Sequence, residues 1–403
     1  MTRFQIDGQR MLADLRELRS FGECGKGVVR RAFSDADIAS RIWLASRMAD
    51  AGLTVHVDPV GNVFGIPENE KNRILVGSHS DTQPEGGWLD GALGVIVGLE
   101  VARASREQGG PPIACVSFQD EEGRFSTLTG SRVWTHQLSI NEADLLVDAD
   151  GVRFADERQK ATRIGPVTDV PVDWFRAFLE LHIEQGPVLD TLGEKIGVVS
   201  DIVGIRSEHL SFQGQQNHAG TTPMAMRKDA FQGLAMFAHE LNRKLHEIVT
   251  SSTVWTIGHV ALHPNAVSIV PGRADFSVQW RDPDDGLLDR MHEVICETAA
   301  RTACHMGLEW QKSNYTSIPA TRCDPAIVGA FERAADMTAK DGWRRLTSGA
   351  LHDAANVSKH MPMGMLFVPS INGISHNFEE DTAIGDLLLG AETFARALNL
   401  LTN

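Results

Sequence analysis

Short apolar runs alternate with helical segments in the N-terminal half of the chain, and this alternation limits the possible folds more than any other feature. The runs 74–78 and 113–118 have the length of buried strands, and 92–105 between them has helical periodicity. Strands that are buried on both faces and separated by helices indicate a parallel sheet. We therefore predict an α/β domain with its site residues at the carboxyl ends of the strands.

A second pattern begins near Ser207 and ends near Ile318. It predicts, in order, a strand at 208–213, a helix at 226–245, strands at 253–261 and 274–280, a helix at 287–305 and a strand at 308–313. This β-α-β-β-α-β order is typical of a ferredoxin-like α+β unit. The apolar strand pattern then resumes at 365–368, and an amphipathic helix is expected at 383–401.

We therefore expect a discontinuous domain. Residues 1–206 and 318–403 would form an α/β catalytic domain with a mixed, mainly parallel sheet flanked by helices, and residues 207–317 would form an inserted ferredoxin-like domain. The insert has about the size of a small domain that buries its own core.

The charge balance and the cysteines narrow the classes of partner and the location. Among 403 residues, 38 are basic and 53 acidic, so a net charge of −15 disfavours nucleic acids and anionic membranes as partners. No apolar stretch follows the first ten residues as it would in a secretory signal. Five cysteines without C-x-x-C spacing are typical of reduced thiols. We expect a cytoplasmic protein.

Polar groups follow the first predicted strand. His79 and Asp81 flank one residue at its end, and Asp90 lies just before the helix at 92–105. An imidazole and a carboxylate from one loop can share a borderline metal such as zinc, and Asp81 is better placed to orient His79 than to bind the metal itself. Alternatively, Asp90 caps the helix and His79 is an ordinary loop histidine.

Three consecutive carboxyl groups, Asp120, Glu121 and Glu122, follow the next strand. Like charges this close ionise together only where a cation relieves them, or else one of the pKa values rises. One carboxylate on a metal and its neighbour as a proton shuttle would meet that need, with Glu122 as the ligand and Glu121 as the general base. A solvated acidic turn is the alternative.

Two further histidines follow the same logic. His182 lies on a strand expected at 178–184, and His376 lies in a loop after the strand at 365–368. Taken singly, a histidine in either position is more often structural. Together, three histidines, one bridging aspartate and a pair of glutamates suit two metal ions about 3.5–4 Å apart.

The motifs from His79 to His376 resemble those of the M20-type metallopeptidase superfamily, within its hydantoinase/carbamoylase branch. That branch includes N-carbamoyl-L-amino-acid amidohydrolases, β-ureidopropionase and allantoate amidohydrolase. The stretches that carry the resemblance are GSHSDT, DGALGV, EEGRF, LHIEQGPVL, HAGTTPM, RKDA and VPSINGISH.

The resemblance implies a hydrolase of linear amide or ureido bonds that uses two divalent ions per subunit, either Zn²⁺ or Mn²⁺, Co²⁺ or Ni²⁺. One ion would be held by His79, Asp90 and His182, and the other by Asp90, Glu122 and His376. A metal-bound hydroxide would attack the carbonyl carbon, and Glu121 would take the proton of the water and pass it to the leaving nitrogen.

The resemblance also implies roles for the insert. The insert would act as a lid and dimerisation domain, and His218 would stabilise the oxyanion, often in the active site of the neighbouring subunit of a homodimer. Arg281 would bind a substrate carboxylate, which suits an N-carbamoyl-L-amino acid. Further substrate contacts are expected from Gln185, Asn265, Ser268 and His352. The alternatives are that His218 is an ordinary loop histidine and that Arg281 forms a surface ion pair with Asp282.

Three positions depart from the family pattern: Ser268 replaces the usual asparagine, Leu351 a glycine, and Trp88 a residue that is more often basic. These changes favour a bulkier or more apolar substrate than allantoate. An aminoacylase, a dipeptidase-like enzyme or an amide-conjugate hydrolase is therefore an alternative, and a non-catalytic small-ligand binding protein is another. The G-x-S-x-G and H-E-x-x-H motifs of serine hydrolases and common zinc proteases are absent.

Overall fold

The computed structural model describes residues 4–68 and 72–402. The helices of this part of the chain are α1 (Gly8–Ser20), α2 (Asp35–Asp50), α3 (Ala92–Glu107), α4 (Thr129–Trp134), α5 (Ile140–Ala143), α6 (Phe154–Glu157), α7 (Val188–Leu192), α8 (Ala230–Leu245), α9 (Asp285–Met306), α10 (Pro325–Thr338), α11 (Asp353–Val357) and α12 (Ile384–Leu401).

The strands of the same residues are β1 (Glu23–Cys24), β2 (Gly27–Val28), β3 (Thr54–Val57), β4 (Val63–Ile66), β5 (Arg73–His79), β6 (Ile113–Phe118), β7 (Phe175–Ile183), β8 (Ile196–Ile202), β9 (Gly204–Gln213), β10 (Asn217–His218), β11 (Val254–His263), β12 (Ile269–Val270), β13 (Arg273–Asp282), β14 (Glu309–Ile318), β15 (Thr321–Arg322), β16 (Trp343–Ser348) and β17 (Met363–Val368).

The chain forms two compact units. Unit 1 comprises Met1–Ser200 and Arg322–Asn403, and unit 2 comprises Asp201–Thr321. The insert expected at 207–317 lies inside unit 2.

Unit 1 is built on a nine-stranded sheet with the order β15-β8-β17-β7-β5-β6-β4-β3, and β16 pairs with β8. The four adjacent strands β17, β7, β5 and β6 are parallel to one another. Next to them, β8 is antiparallel to β17, and β4 is antiparallel to β6. The predicted mixed, mainly parallel α/β sheet is thus confirmed. The carboxyl ends of the four parallel strands lie at one edge of the sheet.

Helices cover this sheet and bury its central strands. Strands β6 and β17 are buried at every residue, which is typical of parallel strands with covered faces. Helix α3 packs on β5 and β6, and helices α10, α11 and α12 pack on β17. Within the described residues, no helix is both long and apolar enough to span a bilayer.

Two predicted elements differ in detail from the structure. Strand β7 begins at Phe175, three residues before the predicted start at 178, and it is buried from Ala177 onward, so its polar residues Glu180 and His182 lie in the interior. Helix α8 begins at Ala230 and not at 226, because the Asp229 carboxylate caps it by accepting hydrogen bonds from the backbone N–H groups of Phe231 and Gln232.

Unit 2 contains a four-stranded antiparallel sheet. Its elements follow one another as β9, α8, β11, β13, α9 and β14, and its strand order is β11-β13-β9-β14. Helices α8 and α9 pack against each other and against the sheet. Large side chains such as Phe212, Phe276 and Trp280 fill the core between them. Unit 2 therefore has its own hydrophobic core.

Candidate metal centre

The polar residues predicted for the site meet at the carboxyl ends of the four parallel strands. His79 is the last residue of β5, and His182 is the last but one of β7. Glu121 and Glu122 follow β6, and His376 follows β17. The parallel sheet thus brings together side chains that are up to about 300 positions apart along the chain.

Two groups of metal-ligand atoms share the carboxylate of Asp90. In the first group, Asp90 Oδ1 lies 3.1 Å from His182 Nε2 and 3.8 Å from His79 Nε2. In the second group, Asp90 Oδ2 lies 3.1 Å from His376 Nε2, which is 3.6 Å from Glu122 Oε2. The ligand atoms within each group lie within 4.8 Å of one another.

Two imidazoles of the first group have their tautomers set by backbone carbonyls. His79 Nδ1 lies 3.0 Å from the carbonyl oxygen of Asp81, and His182 Nδ1 lies 2.9 Å from that of Ile183. A carbonyl oxygen only accepts, so Nδ1 carries the hydrogen in both rings. The Nε2 atoms of both rings are therefore the ones directed at Asp90, as expected of metal-binding histidines.

The charges of the cluster demand a cation. Burial raises the pKa of Glu121 well above its usual value and that of Glu122 to about 8. Burial also disfavours the Asp90 carboxylate, but the neighbouring imidazoles of His182 and His376 hold its pKa well below the usual value. The hydrogen bond with Asp90 in turn raises the pKa of His376 to about 9. Without a metal, protons would have to supply the positive charge that these carboxylates need.

The donor set fits divalent metal ions. Asp90 Oδ1 is buried and has no hydrogen-bond partner among the described residues. The Asp90 carboxylate also does not cap α3, whose first turn lacks a side-chain cap, so the capping alternative is wrong. A buried carboxylate oxygen that faces two imidazole nitrogens is a typical environment for zinc and related ions.

The acidic run after β6 divides into two roles. Asp120 accepts hydrogen bonds from Phe125 N, Ser126 N and Thr129 Oγ1 and so organises its own turn. Glu121 instead reaches the cluster, where its Oε2 lies 3.6 Å from His79 Nε2. The Glu121 carboxyl is buried beside both ligand groups without belonging to either. The Glu121 carboxyl thus lies at the centre as a residue outside both ligand groups.

Asp81 supports the centre in two ways. Its carbonyl oxygen accepts from His79, as described above, and its carboxylate lies 3.2 Å from Glu122 N and 3.4 Å from Glu121 N. The predicted orientation of His79 by Asp81 is thus made through the backbone carbonyl, while the carboxylate holds the loop that carries both glutamates.

Glu380 is a supporting residue that we did not predict. It accepts hydrogen bonds from the backbone N–H groups of Leu89 and Asp90, at 3.2 and 3.0 Å, and from Ser375 Oγ at 2.8 Å. It therefore connects the loop of Asp90 to the loop of His376. The only signal in the sequence is the acidic run that follows His376, which does not distinguish Glu380 from its neighbours.

Gly91, the residue after the shared aspartate, lies at a position that requires glycine. Its φ is +63°, and a Cβ atom at this position would lie 2.4 Å from the His79 ring. Any larger residue would push the imidazole out of its position, so the D-G pair is required by the packing of the centre.

Gln185 and His352 also lie at the centre, but in different environments. Gln185 Nε2 is 3.0 Å from Asp90 Oδ2 and 3.3 Å from His376 Nε2. The ring of His352 packs 4.7 Å from that of His182, is bonded through Nε2 to Ser348 Oγ at 2.9 Å, and is only 2% exposed. Gln185 thus faces the ligand groups, whereas His352 supports His182 from behind.

Four of the predicted residues lie in unit 2. His218 Nδ1 accepts hydrogen bonds from Gly220 N at 3.0 Å and Thr221 N at 3.2 Å. Ser268 is beside it, because the Ser268 carbonyl accepts from the residue after His218 at 2.9 Å. Asn265 is exposed in the loop that also carries Ser268. Arg281 is the last but one residue of β13. The Arg281 guanidinium donates to Gln279 Oε1.

Trp88 is buried at the edge of a surface cavity that Arg19 and Asp381 also line. Its Nε1 donates to Asp381 Oδ1 at 3.3 Å, and the guanidinium of Arg19 lies 5.1 Å from the ring. The predicted metal ligands do not line this cavity, so the indole gives little support to the expectation of a more apolar substrate pocket. Leu351 is half-buried beside His352.

Comparison with known proteins gives a match over most of the chain. The model of peptidase family M20/M25/M40 matches residues 75–400. The N-carbamoyl-L-amino-acid amidohydrolase of Paenarthrobacter aurescens is 36% identical over 420 residues and covers 100% of both chains. The allantoate amidohydrolase of Escherichia coli K12 is 33% identical and covers 94% of this chain and 95% of its own length.

A solved structure is similar over the same extent. The amidase of the hydantoinase/carbamoylase family from Burkholderia phymatum superposes with a TM-score of 0.92 at 39% identity, and the match covers 100% of this chain and 99% of that chain.

The shared position of Asp90 leads to a test by metal content. Asp90→Asn removes a charge from both ligand groups, so we expect the variant to keep less than one ion per chain after dialysis. His376→Ala should lose only the ion of the second group. Mass spectrometry of the metals measures both. Asp386→Asn, which breaks a surface ion pair with Lys195, is the control and should match the wild type. Two retained ions in Asp90→Asn would contradict the shared ligand.

Proposed function

The chain belongs to peptidase family M20/M25/M40 and is an amidohydrolase of the carbamoylase/allantoate type, and from this premise we propose that it hydrolyses the ureido bond of an N-carbamoyl-L-amino acid. The observation that carries the proposal is the pair of ligand groups that share Asp90, with the Glu121 carboxyl buried beside them. Such a pair suits two ions that act on one small polar substrate.

We assign the ligands as the two groups suggest. His79, Asp90 and His182 would hold one divalent ion, and Asp90, Glu122 and His376 the other. When bound, the ions supply Lewis acidity that polarises the carbonyl of the substrate and lowers the pKa of water. The side chain of His376 is 49% exposed, so the second ligand group is open to a substrate that enters from solvent.

Glu121 is the general base and acid of this proposal. Burial favours its protonated form, which can give a proton to the leaving nitrogen, and bound cations would favour the carboxylate that takes a proton from water. Glu121 would therefore alternate between the two forms during the reaction. Gln185 would orient the substrate beside His376 through its amide.

His218 is proposed as the donor to the oxyanion. Its Nδ1 accepts two backbone N–H groups, so a neutral ring carries its hydrogen on Nε2. The imidazole is therefore held as a hydrogen-bond donor without needing a positive charge. Such a fixed donor stabilises developing negative charge on a substrate oxygen.

Arg281 is proposed as the group that binds the substrate carboxylate. Its guanidinium is held in place by Gln279 Oε1 at 2.9 and 3.1 Å, which restricts its orientation. A planar guanidinium in a fixed orientation favours bidentate pairing with a carboxylate. This is the feature that favours an amino-acid derivative as the substrate.

The positions of His218 and Arg281 support a homodimer. Val270, two residues beyond Ser268, pairs with Asn217, which places His218 near the start of β13, and Arg281 lies near the end of that strand. The eight residue steps from Arg273 to Arg281 span roughly 25 Å of extended strand. A small substrate cannot contact both ends, so we propose that one copy of the chain gives Arg281 and its partner gives His218.

Ser268 favours a second class of substrate. A serine hydroxyl is shorter than an asparagine amide and has no N–H₂ group to donate to a carbamoyl oxygen. An N-acyl amino acid or a dipeptide is thus the second candidate class. Asn265, exposed in the same loop with φ +58°, is the residue that would restore the amide contact.

A substrate panel tests the proposed function. The protein is stripped of metal with a chelator and reloaded separately with Zn²⁺, Mn²⁺, Co²⁺ or Ni²⁺. Each preparation is then assayed on N-carbamoyl, N-acyl and dipeptide substrates for released amine and ammonia. We expect the N-carbamoyl-L-amino acids to be hydrolysed fastest. Glu121→Gln should lower turnover by about 10²–10⁴, because it removes the proton shuttle, and should keep the metal content.

The outcomes of this panel are distinct. Faster hydrolysis of N-acyl substrates would replace the proposed substrate with the second candidate class. No hydrolysis by a metal-loaded protein would favour a non-catalytic binding protein. Activity retained in Glu121→Gln would contradict the role of Glu121.

Mixed dimers test whether two copies share each site. Glu121→Gln and His218→Ala each inactivate a homodimer in this proposal. When the two variants are co-expressed in equal amounts, half of the dimers are mixed, and each mixed dimer has one site with Glu121 from one copy and His218 from the other. We therefore expect activity to return to about a quarter of the wild type. Steady-state rates of the whole mixture measure this recovery. Two different tags on the variants then allow the mixed dimers to be isolated. No recovery in isolated mixed dimers would place both residues in a single copy.

A further inference from the structure

A second group of metal-binding side chains lies in unit 2, on elements that contribute nothing to the candidate metal centre. Glu208 lies on β9, His292 and Cys296 lie one turn apart on α9, and Lys312 lies on β14. We call these four residues the Glu208 cluster. The carboxylate, imidazole and thiol of the first three are within 4.8 Å of one another.

The geometry of the cluster is restrained from several sides. Glu208 is 3% exposed in its side chain, and its Oε2 lies 3.0 Å from His292 Nε2. The His292 ring packs against Tyr315, at 4.8 Å between centroids, and against Trp280, at 5.8 Å. An imidazole packed against two aromatic rings keeps the direction of its Nε2 atom. The cluster therefore offers preorganised ligand atoms.

A positive charge already lies among the three ligand atoms. Lys312 Nζ is 3.4 Å from His292 Nε2, 3.4 Å from Cys296 Sγ and 3.6 Å from Glu208 Oε1. The place is thus suited to a cation. The Lys312 side chain is 43% exposed and lies on a strand at the end of the sheet order, so its flexible stem can turn the ammonium into solvent.

The hydrogen bonds of the cluster conflict at His292. Its Nε2 faces a carboxylate oxygen, which needs a donor, and an ammonium nitrogen, which needs an acceptor. One ring nitrogen is either a donor or an acceptor, so it satisfies only one of the two neighbours at a time. A metal ion would remove the conflict, because the lone pair of Nε2, the carboxylate and the thiolate would all be directed at the same cation.

We propose that Glu208, His292 and Cys296 bind a divalent metal ion of the zinc class, with Lys312 as the group that the metal displaces. A thiolate and an imidazole select Zn²⁺ or Cd²⁺ over Mg²⁺ and Ca²⁺. Three protein ligands leave a fourth tetrahedral position to solvent. The bound ion would connect β9 to α9 and stabilise unit 2. This site is independent of the proposed function.

Cadmium titration tests this proposal, since a Cd²⁺–thiolate bond absorbs in the ultraviolet and the candidate metal centre contains no cysteine. The parent protein of this titration is the full chain with Cys24→Ser, a substitution that removes an exposed thiol. We expect the charge-transfer absorption to saturate at the intensity of one Cd²⁺–thiolate bond per chain, whatever amount of Cd²⁺ the candidate metal centre also takes up. Cys296→Ser should abolish it. Cys304→Ser, which removes an exposed thiol of the same helix, is the matched control and should keep it.

Lys312→Met provides the second measurement and separates a metal site from a simple ion-pair network. Removing the ammonium eliminates a competing charge, so Cd²⁺ should bind about tenfold more tightly than to the parent protein. Weaker binding in Lys312→Met, an absorption that survives in Cys296→Ser, or no absorption at excess Cd²⁺ in a folded parent protein would each overturn the proposal.

Discussion

Asp90, Glu121 and Glu122 bring three carboxyl groups together in a buried region, and this concentration of negative charge is the constraint on which the rest of unit 1 depends. Burial raises the pKa values of both glutamates, whereas the imidazoles of His182 and His376 hold that of Asp90 down. A protein that needed only stability would gain little from such a cluster, because each buried carboxylate must be compensated. Two divalent ions would compensate all three groups at once.

The surrounding structure is arranged to keep these ligands in place. Backbone carbonyls fix the imidazoles of the first ligand group, the Asp81 carboxylate accepts from the backbone of both glutamates, and Glu380 accepts from the backbone of Asp90. These contacts are made by loops that leave parallel strands at a common edge. The rigid sheet thus positions the ligands, and the loops supply them, as is usual for α/β enzymes.

The sequence predicted the ligand-bearing loops and their strands because the patterns that indicate them are local. A mostly apolar run of six residues with three carboxyl groups soon after it, or a histidine at the end of a strand, is visible without knowledge of the partners. The pairing partners are not visible in the same way. Neither the antiparallel position of β8 beside β17 nor the bond from Glu380 to the loop of Asp90, about 290 residues away, follows from periodicity. Likewise, Trp88 is buried by Arg19, which no local pattern indicates.

The shared Asp90 carboxylate is tested most directly by locating the metal ions themselves. Crystals of the protein grown with Zn²⁺ and measured at the zinc absorption edge would show anomalous scattering from each bound ion. A carboxylate shared by two ions predicts two peaks about 3.5–4 Å apart at the carboxyl ends of the parallel strands, with Asp90 in contact with both. A single peak there, or two peaks of which only one contacts Asp90, would contradict the shared carboxylate at the centre of this proposal.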